Sequence, residues 1–307
     1  MNQGITIIAA RSIAGLILSA AIGALAYRRN SLSPSGVAGA VLTGTLIFGF
    51  GGAAGGLLLV IFFITSSALS HYKAARKQSI AEQFDKGGRR DLGQTLANGG
   101  VAAFFALASG AALLAGAAPT TVMGCLAGLA GALAAANADT WATELGVLSR
   151  TPPRLITRLS QAVETGTSGG ITAIGSLAAV AGALLIGLSN LVIAQVAAAL
   201  SGNDPAAGTV FYNAILPGLP RMAALLFATL AGGLTGVLLD STLGATVQAM
   251  YYSERRRKVT EKSRERDGTP NKLLRGWVWM NNDWVNLFSS LAGALVSVIA
   301  FALFARQ

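Results

Sequence analysis

Two carboxylates stand close together near residue 140, at the end of a long apolar run. Asp139 and Glu144 close a stretch that begins near Thr120, and Asn137 and Thr140 stand beside them. The run is long enough to cross a membrane, and an acidic side chain at such depth is costly unless it faces a partner or a wet cavity. The stretch therefore predicts a functional site.

Helix geometry limits what these two acids can do together. In a regular helix Asp139 and Glu144 are separated by roughly 140° around the axis, so both cannot point at one ion. Either Asp139 binds a metal ion and Glu144 anchors a neighbouring basic group, or the helix ends between them. A simple interfacial ion pair of Glu144 with an arginine is the plainest alternative.

Five further polar clusters interrupt the apolar sequence. Their candidate site residues are Arg90, Gln94 and Asn98 in 89–100; Arg154 in 153–157; Thr167, Ser168, Gly169 and Gly170 in 165–170; Asp240 in 240–248; and Asn281, Asn282 and Asn286 in 281–286.

The residue types in these clusters suit a phosphate at a membrane surface. Glycines and hydroxyls at 165–170 precede an apolar run, and a helix start offers backbone N–H groups to an anion, although a simple N-cap explains the same pattern. Asp139-Thr140 and Asp240-Ser241-Thr242 form a faint repeat that would bring two carboxylates to one site. Mg²⁺ favours such oxygen ligands together with substrate phosphates.

Composition sets the class of protein. The 307 residues are 53% hydrophobic and only 12% charged, against about 25% charged in soluble domains. Apolar runs of about 20 residues recur from end to end, which predicts an all-α, polytopic helical membrane protein and not a β-barrel. The net charge of +10 lies in short loops, where it indicates membrane topology and no nucleic-acid partner.

About eight transmembrane helices are predicted. The spans are 5–27, 36–50, 53–70, 95–116, 119–146, 168–193, 222–239 and 284–304, with a tight turn at Gly51-Gly52 and the seventh helix extending as far as Tyr252.

This count puts all four basic segments on one side of the membrane. The segments are 28–29, 71–91, 150–158 and 253–275. The positive-inside rule then places that side in the cytoplasm and both termini outside, as expected for a protein of the cell inner membrane. Residues 1–307 are expected to form a single integral membrane domain. Its cytoplasmic loops are 71–94, 149–167 and 253–283, and the strongly basic 253–275 is expected to form in part a solvated surface attracted to anionic lipid.

Six ordered motifs together resemble one known family. They are 90–100, 138–146, 153–157, 166–170, 240–248 and 281–282. The chain resembles, over nearly its whole length, the plant and bacterial phytyl-phosphate kinases, a family that includes the animal transmembrane protein 19.

The resemblance implies transfer of a phosphate from a nucleoside triphosphate, with CTP expected, to a prenyl monophosphate such as phytyl phosphate. The product would be a prenyl diphosphate for tocopherol or quinone synthesis. The pattern at 139–146 is also similar, more distantly, to dolichol kinases and phosphatidate cytidylyltransferases, which use Mg²⁺ and CTP at a cytoplasm-facing site.

The expected roles follow from this chemistry. Asp139 and Asp240 would hold Mg²⁺, with Glu144 in support. Arg90 and Arg154 would contact phosphates, and the glycine-rich turn 166–170 would cradle one. The amides Gln94, Asn98, Asn137, Asn281, Asn282 and Asn286 would orient the nucleotide.

Two other functions remain open at this point. A cytidylyltransferase that forms a CDP-lipid would use the same groups but release pyrophosphate. A transporter would also use intramembrane acids, but it predicts polar residues near the bilayer midplane and an inverted repeat.

Overall fold

The computed structural model describes residues 2–74, 76–77, 89–201, 219–265 and 267–304. Their helices are α1 (Asn2–Arg28), α2 (Pro34–His71), α3 (Leu92–Leu114), α4 (Pro119–Gly146), α5 (Ala173–Ser201), α6 (Leu219–Thr246) and α7 (Asn282–Phe304). All seven are long and apolar enough to cross a membrane. The prediction of a polytopic helical membrane protein is therefore confirmed.

Helix α2 is a hairpin of two arms. Gly52 has the non-helical angles φ 70° and ψ −175°, and beyond it the chain folds back. A Cβ added at Gly55 would lie 3.3 Å from Ile47, and one at Gly44 would lie 3.9 Å from Leu59. These pairs could not meet in a straight helix, because its rise is about 1.5 Å per residue. The predicted turn at Gly51-Gly52 is thus present, and the two arms with the six other helices make eight passes.

The described ends of the first two basic segments meet at one end of the bundle. His71 Nε2 lies 3.3 Å from the Arg29 carbonyl oxygen, which joins the end of α2 to the end of α1. The Ser33 N–H donates to the Arg90 carbonyl at 3.0 Å, which joins the same end to the start of α3. The start of α1 lies at the opposite end, where a Cβ added at Gly4 would stand 3.2 Å from Leu114.

Small residues let the central helices α4, α6 and α7 approach closely. A Cβ added at Gly232 would collide with the Gly293 carbonyl oxygen, and it would stand 3.2 Å from the Gly131 Cα. Without a hydrophobic force between helices in lipid, such close packing is a main source of association. Helix α4 lies at the centre of this packing, and its residues Val122–Ala138 are largely buried.

Two small antiparallel sheets form where the sequence predicted only cytoplasmic loops, at 149–167 and 253–283. The first contains β1 (Arg154–Leu155), β2 (Arg158–Ala162) and β3 (Gly170–Ile171) in the order β2-β1-β3. The second contains β4 (Met250–Ser253), β5 (Lys258–Thr260) and β6 (Lys272–Arg275) in the order β5-β4-β6.

The expected extension of the seventh helix to Tyr252 is wrong. Helix α6 ends at Thr246, where the Arg275 side chain donates to the carbonyl oxygens of Gly244, at 3.0 Å, and of Ala245. A cation at the last turn of a helix satisfies carbonyls that have no partner within the helix. From Met250 the backbone instead pairs with Lys258–Thr260 and Lys272–Arg275.

Exposed aromatic side chains mark the level of the membrane surface beside the start of α7. Trp277 and Trp279 stack with ring centroids 5.5 Å apart, Trp279 meets Trp284 at 6.3 Å, and Trp284 stacks on Phe288 at 5.8 Å. Tryptophans prefer the interface between hydrocarbon and water.

We therefore expect lipids brominated near the headgroup to quench tryptophan fluorescence more than lipids brominated near the chain end. Replacing Trp277, Trp279 and Trp284 together by phenylalanine should remove most of this difference. Stronger quenching by the label near the chain end would place these tryptophans inside the hydrocarbon and contradict the prediction.

Candidate functional site

A cavity of about 1390 Å³ opens at the end of the bundle where the basic segments gather. Residues from all six polar clusters of the sequence line it. Its volume exceeds that of a usual small-molecule pocket, about 300–1,000 Å³. It therefore has room for two substrates side by side.

Asp139 and Asp240 approach each other in this cavity, closely enough for their carboxyl groups to interact directly. The packing of α4 on α6 explains this meeting. A Cβ added at Gly236 would collide with Ala135, and these two residues lie one turn before Asp240 and Asp139. Residues four apart share a helix face, so the contact between glycine and alanine aligns the two carboxylates one turn further on.

The pair of carboxylates fits a divalent cation that also binds phosphate. Asp240 Oδ2 is buried and makes no hydrogen bond of normal geometry within the described part of the chain, although the Asp139 carboxyl and the Ser289 hydroxyl lie near this carboxyl group. Those residues contain no group of three His, Cys, Asp or Glu side chains that could enclose a metal by themselves. Mg²⁺ commonly binds one or two carboxylates and takes its other oxygens from water and substrate phosphates.

Glu144 lies in the same cavity but binds a lysine. Its Oε2 accepts from Lys77 Nζ at 2.6 Å, and its Oε1 accepts from the Ser70 hydroxyl at 2.5 Å. Helix α4 continues unbroken to Gly146. Of the two alternatives that helix geometry leaves open, the structure favours the one in which Glu144 anchors a basic group while Asp139 points elsewhere.

The Lys77–Glu144 pair is largely shielded, with side-chain exposures of 11% and 21%. We expect Lys77→Met and Glu144→Gln each to lower the unfolding temperature more than the double variant does. Removing one partner of a shielded pair leaves a charge uncompensated, at a cost of about 3–5 kcal/mol when burial is complete. Thermal unfolding of the four proteins in detergent measures this coupling, and purely additive shifts would mean that the pair contributes nothing.

The glycine-rich turn 166–170 forms part of the cavity wall rather than the first turn of a helix. Gly166 and Gly169 have φ of 90° and 80°, and Gly170 enters β3. Helix α5 begins only at Ala173, where the Thr172 hydroxyl accepts from the Gly175 N–H at 3.0 Å. The predicted start of the sixth span at Ser168 is therefore wrong by five residues.

Side-chain hydrogen bonds hold this turn against the end of α6. The sequence did not predict these bonds. The Ser168 hydroxyl donates to Gln248 Oε1 at 2.5 Å, and Gln248 Nε2 donates to Glu261 at 2.9 Å. Arg275 donates to the Ser168 carbonyl at 2.9 Å. A Cβ added at Gly169 would collide with the backbone of Ala245. This close approach explains why position 169 is a glycine, and together with the hydrogen bonds it fixes the turn in the cavity wall.

Two amides of the turn are already used. The Thr167 N–H donates to the Glu164 carbonyl at 3.1 Å, and the Gly170 N–H donates to the Thr167 carbonyl at 3.0 Å. A phosphate cradle here would therefore rest on fewer backbone donors than the motif suggests. Thr167 and Ser168 still line the cavity.

Arg90 brings positive charge to the cavity wall. Its guanidinium lies 5.9 Å from the Phe62 ring centroid. Burial lowers the pKa of Arg90 below its ordinary value, while the Glu144 carboxylate acts in the opposite direction. An arginine keeps its charge in proteins, so this wall presents a partly desolvated cation to the cavity.

The predicted amides beside the cavity have distinct partners. Gln94 Oε1 accepts from the Asp91 N–H at 3.1 Å in a capping box that begins α3. Asn98 Nδ2 donates to the Gln94 carbonyl at 2.9 Å. Asn281 Oδ1 accepts from the Trp284 N–H at 3.2 Å at the start of α7. Each amide is thus positioned by its own helix, and Asn282 and Asn286 line the cavity beside Asn281.

Two of the predicted site residues lie elsewhere. Asn137 is fully buried: its Oδ1 accepts from the hydroxyls of Thr65 and Ser66, and its Nδ2 donates to the Gly182 carbonyl at 2.8 Å. It joins α2, α4 and α5, and it is not among the cavity residues. Arg154 is exposed on β1 and donates to the Leu159 carbonyl at 2.7 Å, also outside the cavity lining.

Many cavity residues were missing from the sequence-based site, and three of them join its walls through side-chain bonds. Lys77, Gln248 and Glu261 all line the cavity. Gln248 was visible in the polar cluster that ends α6. Lys77 and Glu261 stand in charged loops that resemble a solvated surface, so no sequence signal separated them from their neighbours.

Comparison with known proteins identifies relatives without assigning an activity. The family model described as "Integral membrane protein DUF92" matches residues 17–294. Protein PGR of Arabidopsis thaliana is 34% identical over 298 residues, which cover 94% of this chain and 96% of that protein. An uncharacterised membrane protein of Methanocaldococcus jannaschii is 41% identical over 128 residues, 38% of this chain and 52% of that protein. No solved structure matches. The chain belongs to the DUF92 family of integral membrane proteins.

Proposed function

We propose that this protein is a prenyl-phosphate kinase, which transfers a phosphate from a nucleoside triphosphate, with CTP expected, to an isoprenyl monophosphate such as phytyl phosphate. The observation that carries the proposal is the meeting of Asp139 and Asp240 in a large cavity at the basic end of the bundle. The resemblance of the six motifs to phytyl-phosphate kinases supports the choice of substrate.

The acceptor in this reaction needs little activation. A prenyl monophosphate already presents an anionic oxygen, so the protein's task is to align two phosphates and to offset their charge. Arg90 supplies a partly desolvated cation, and Thr167 and Ser168 add polar side chains to the cavity lining. Asn98, Asn281, Asn282 and Asn286 are placed to orient the nucleotide.

Asp139 and Asp240 would hold the metal. Bound Mg²⁺ would neutralise charge on the nucleotide phosphates during transfer. Glu144 would play a structural part: its bond to Ser70 ties α4 to α2, and its pair with Lys77 ties α4 to the chain that follows α2.

The arrangement of polar groups also weighs against a transporter. The cavity is lined at the ends of the helices and by the two β-sheets, next to the basic segments. A transporter site is expected near the bilayer midplane between inverted repeats. We propose instead that this end faces the cytoplasm, where nucleotides are available, and that the loops around it form one domain with the helices.

Purified protein should therefore be incubated with prenyl monophosphates of several lengths and with CTP, ATP, GTP or UTP, with and without Mg²⁺. A prenyl diphosphate and a nucleoside diphosphate are the expected products. Pyrophosphate with a CDP-lipid would indicate a cytidylyltransferase. Nucleotide consumption that no prenyl phosphate stimulates would contradict the kinase assignment.

A further inference from the structure

The cavity continues into an apolar side groove between α5 and α6. Besides its polar lining, the cavity touches Ala179 and Val180 on α5, and Leu234, Val237 and Leu238 on α6. On each helix these residues fall within about one turn, so they form one face opposite the other. Val237 lies three residues before Asp240 on α6, so these two residues share one side of the helix.

The groove has a closed floor and an open side. Ala138, Ala179, Ala183 and Val237 form a buried cluster beneath it. Val180 and Leu238 form its rims and are 40% and 58% exposed. Leu238 and Phe227 are both exposed on α6. They are eleven residues apart, which is about three helical turns, so they lie on the same side of the helix, and this side faces the lipid.

The two helices close below the groove. A Cβ added at Gly233 would stand 2.8 Å from Ala183, and one added at Gly187 would stand 2.9 Å from Leu226. Above these contacts the cavity occupies the space between α5 and α6. The groove is therefore a cleft that ends where α5 and α6 touch, and its open side faces the hydrocarbon of the membrane.

We infer that this groove, which we call the side groove (Ala179, Val180, Leu234, Val237 and Leu238), holds the hydrocarbon tail of a single-chain lipid phosphate whose headgroup reaches Asp139 and Asp240. The inference rests on the proposed function, because it places the tail of the substrate proposed there. Because α5 and α6 touch at Gly187 and Gly233 just below it, the groove is narrow, and it suits one chain rather than the two of a diacyl lipid.

The first test measures binding without turnover. A farnesyl monophosphate that carries a photoreactive diazirine in its tail is crosslinked to the protein in detergent, without nucleotide, and the labelled peptides are identified by mass spectrometry. We expect labels on 173–183 and 230–242. Unlabelled farnesyl phosphate should compete, whereas phosphatidate should compete poorly. Labels confined to other helices, or stronger competition by phosphatidate, would overturn the inference.

The second test fills the groove. Val180→Trp and, from the other rim, Leu238→Trp should each raise KM for a long prenyl monophosphate by about tenfold, within the range that overpacking an apolar site costs. KM for the nucleotide should stay unchanged. Leu177→Trp is the matched control, because Leu177 is 71% exposed one turn away and is outside the cavity lining.

The outcomes separate this inference from the proposed function. Labelling of the groove without phosphate transfer to any prenyl phosphate would contradict the kinase assignment alone. If both tryptophan variants leave phosphate transfer unchanged, the assignment of the side groove to the lipid tail is contradicted, and the kinase assignment is not.

Discussion

Replacing Asp139 by asparagine is expected to reduce turnover by at least about a hundredfold, since loss of one charge-stabilising group at a reacting phosphate costs that much or more. The amide keeps the size of the carboxylate but loses the charge that would attract a metal ion. Asp240→Asn should have a similar effect because the two carboxylates act on one site. Initial rates with a prenyl monophosphate and a nucleoside triphosphate measure both variants.

The protein should stay folded in these variants, because neither carboxylate pairs with a basic side chain among the described residues. An unchanged unfolding temperature in detergent would establish this. Asp267→Asn is the matched control: Asp267 is exposed in the loop after β5 and pairs at the surface with Arg255 at 2.7 Å. Full activity of Asp139→Asn would remove Asp139 from the mechanism.

Replacing Gly232 by alanine is expected to destabilise the bundle by about 1–3 kcal/mol, the usual cost of overpacking a tight interior. The added Cβ would collide with the Gly293 carbonyl oxygen and would stand 3.0 Å from the Ser297 Cβ. Because the nearest atom belongs to a backbone, α6 and α7 would have to separate. A lower unfolding temperature in detergent measures the effect.

Gly100→Ala on α3 provides the matched control, since an added Cβ there meets no heavy atom within 4 Å. Alanine is a better helix former than glycine by roughly 0.8–1.0 kcal/mol in water, so this control should be neutral or slightly stabilising. Equal losses in the two variants would mean that helix propensity, and not the crossing at Gly232, governs stability.

The helical passes could be predicted from the sequence because each is a long apolar run. Gly51-Gly52 interrupts one such run, and it was predicted as the turn that the hairpin of α2 contains. The meeting of Asp139 and Asp240 was suggested only by a faint repeat. Its physical cause, the contact of Gly236 with Ala135 one turn away, depends on which helices pack together.

The roles of individual polar residues could not be read from spacing alone. Asn137 and Asp139 are two positions apart, so they point to different sides of α4. Only the positions of Ser66 and Gly182 show that Asn137 is consumed in packing. Lys77 illustrates the opposite case, since a lysine in a charged loop joins the cavity through Glu144 on a distant helix.

The two small sheets were missed for a related reason. Their strands are two to five residues long, too short for an alternating pattern to stand out. They form because residues far apart in the loop pair with each other, as Met250 does with Arg275. Their consequence is functional: they carry Glu261 and the turn 166–170 to the cavity.

The position of the transferred phosphate tests the kinase assignment most directly. Purified protein is supplied with phytyl monophosphate and Mg²⁺, and with CTP labelled either at the γ-phosphate or at the α-phosphate. We predict that the γ-label alone enters the lipid as phytyl diphosphate, and that Asp139→Asn slows this transfer by at least about a hundredfold. Entry of the α-label into the lipid, or no labelled lipid with any nucleotide, would contradict the account.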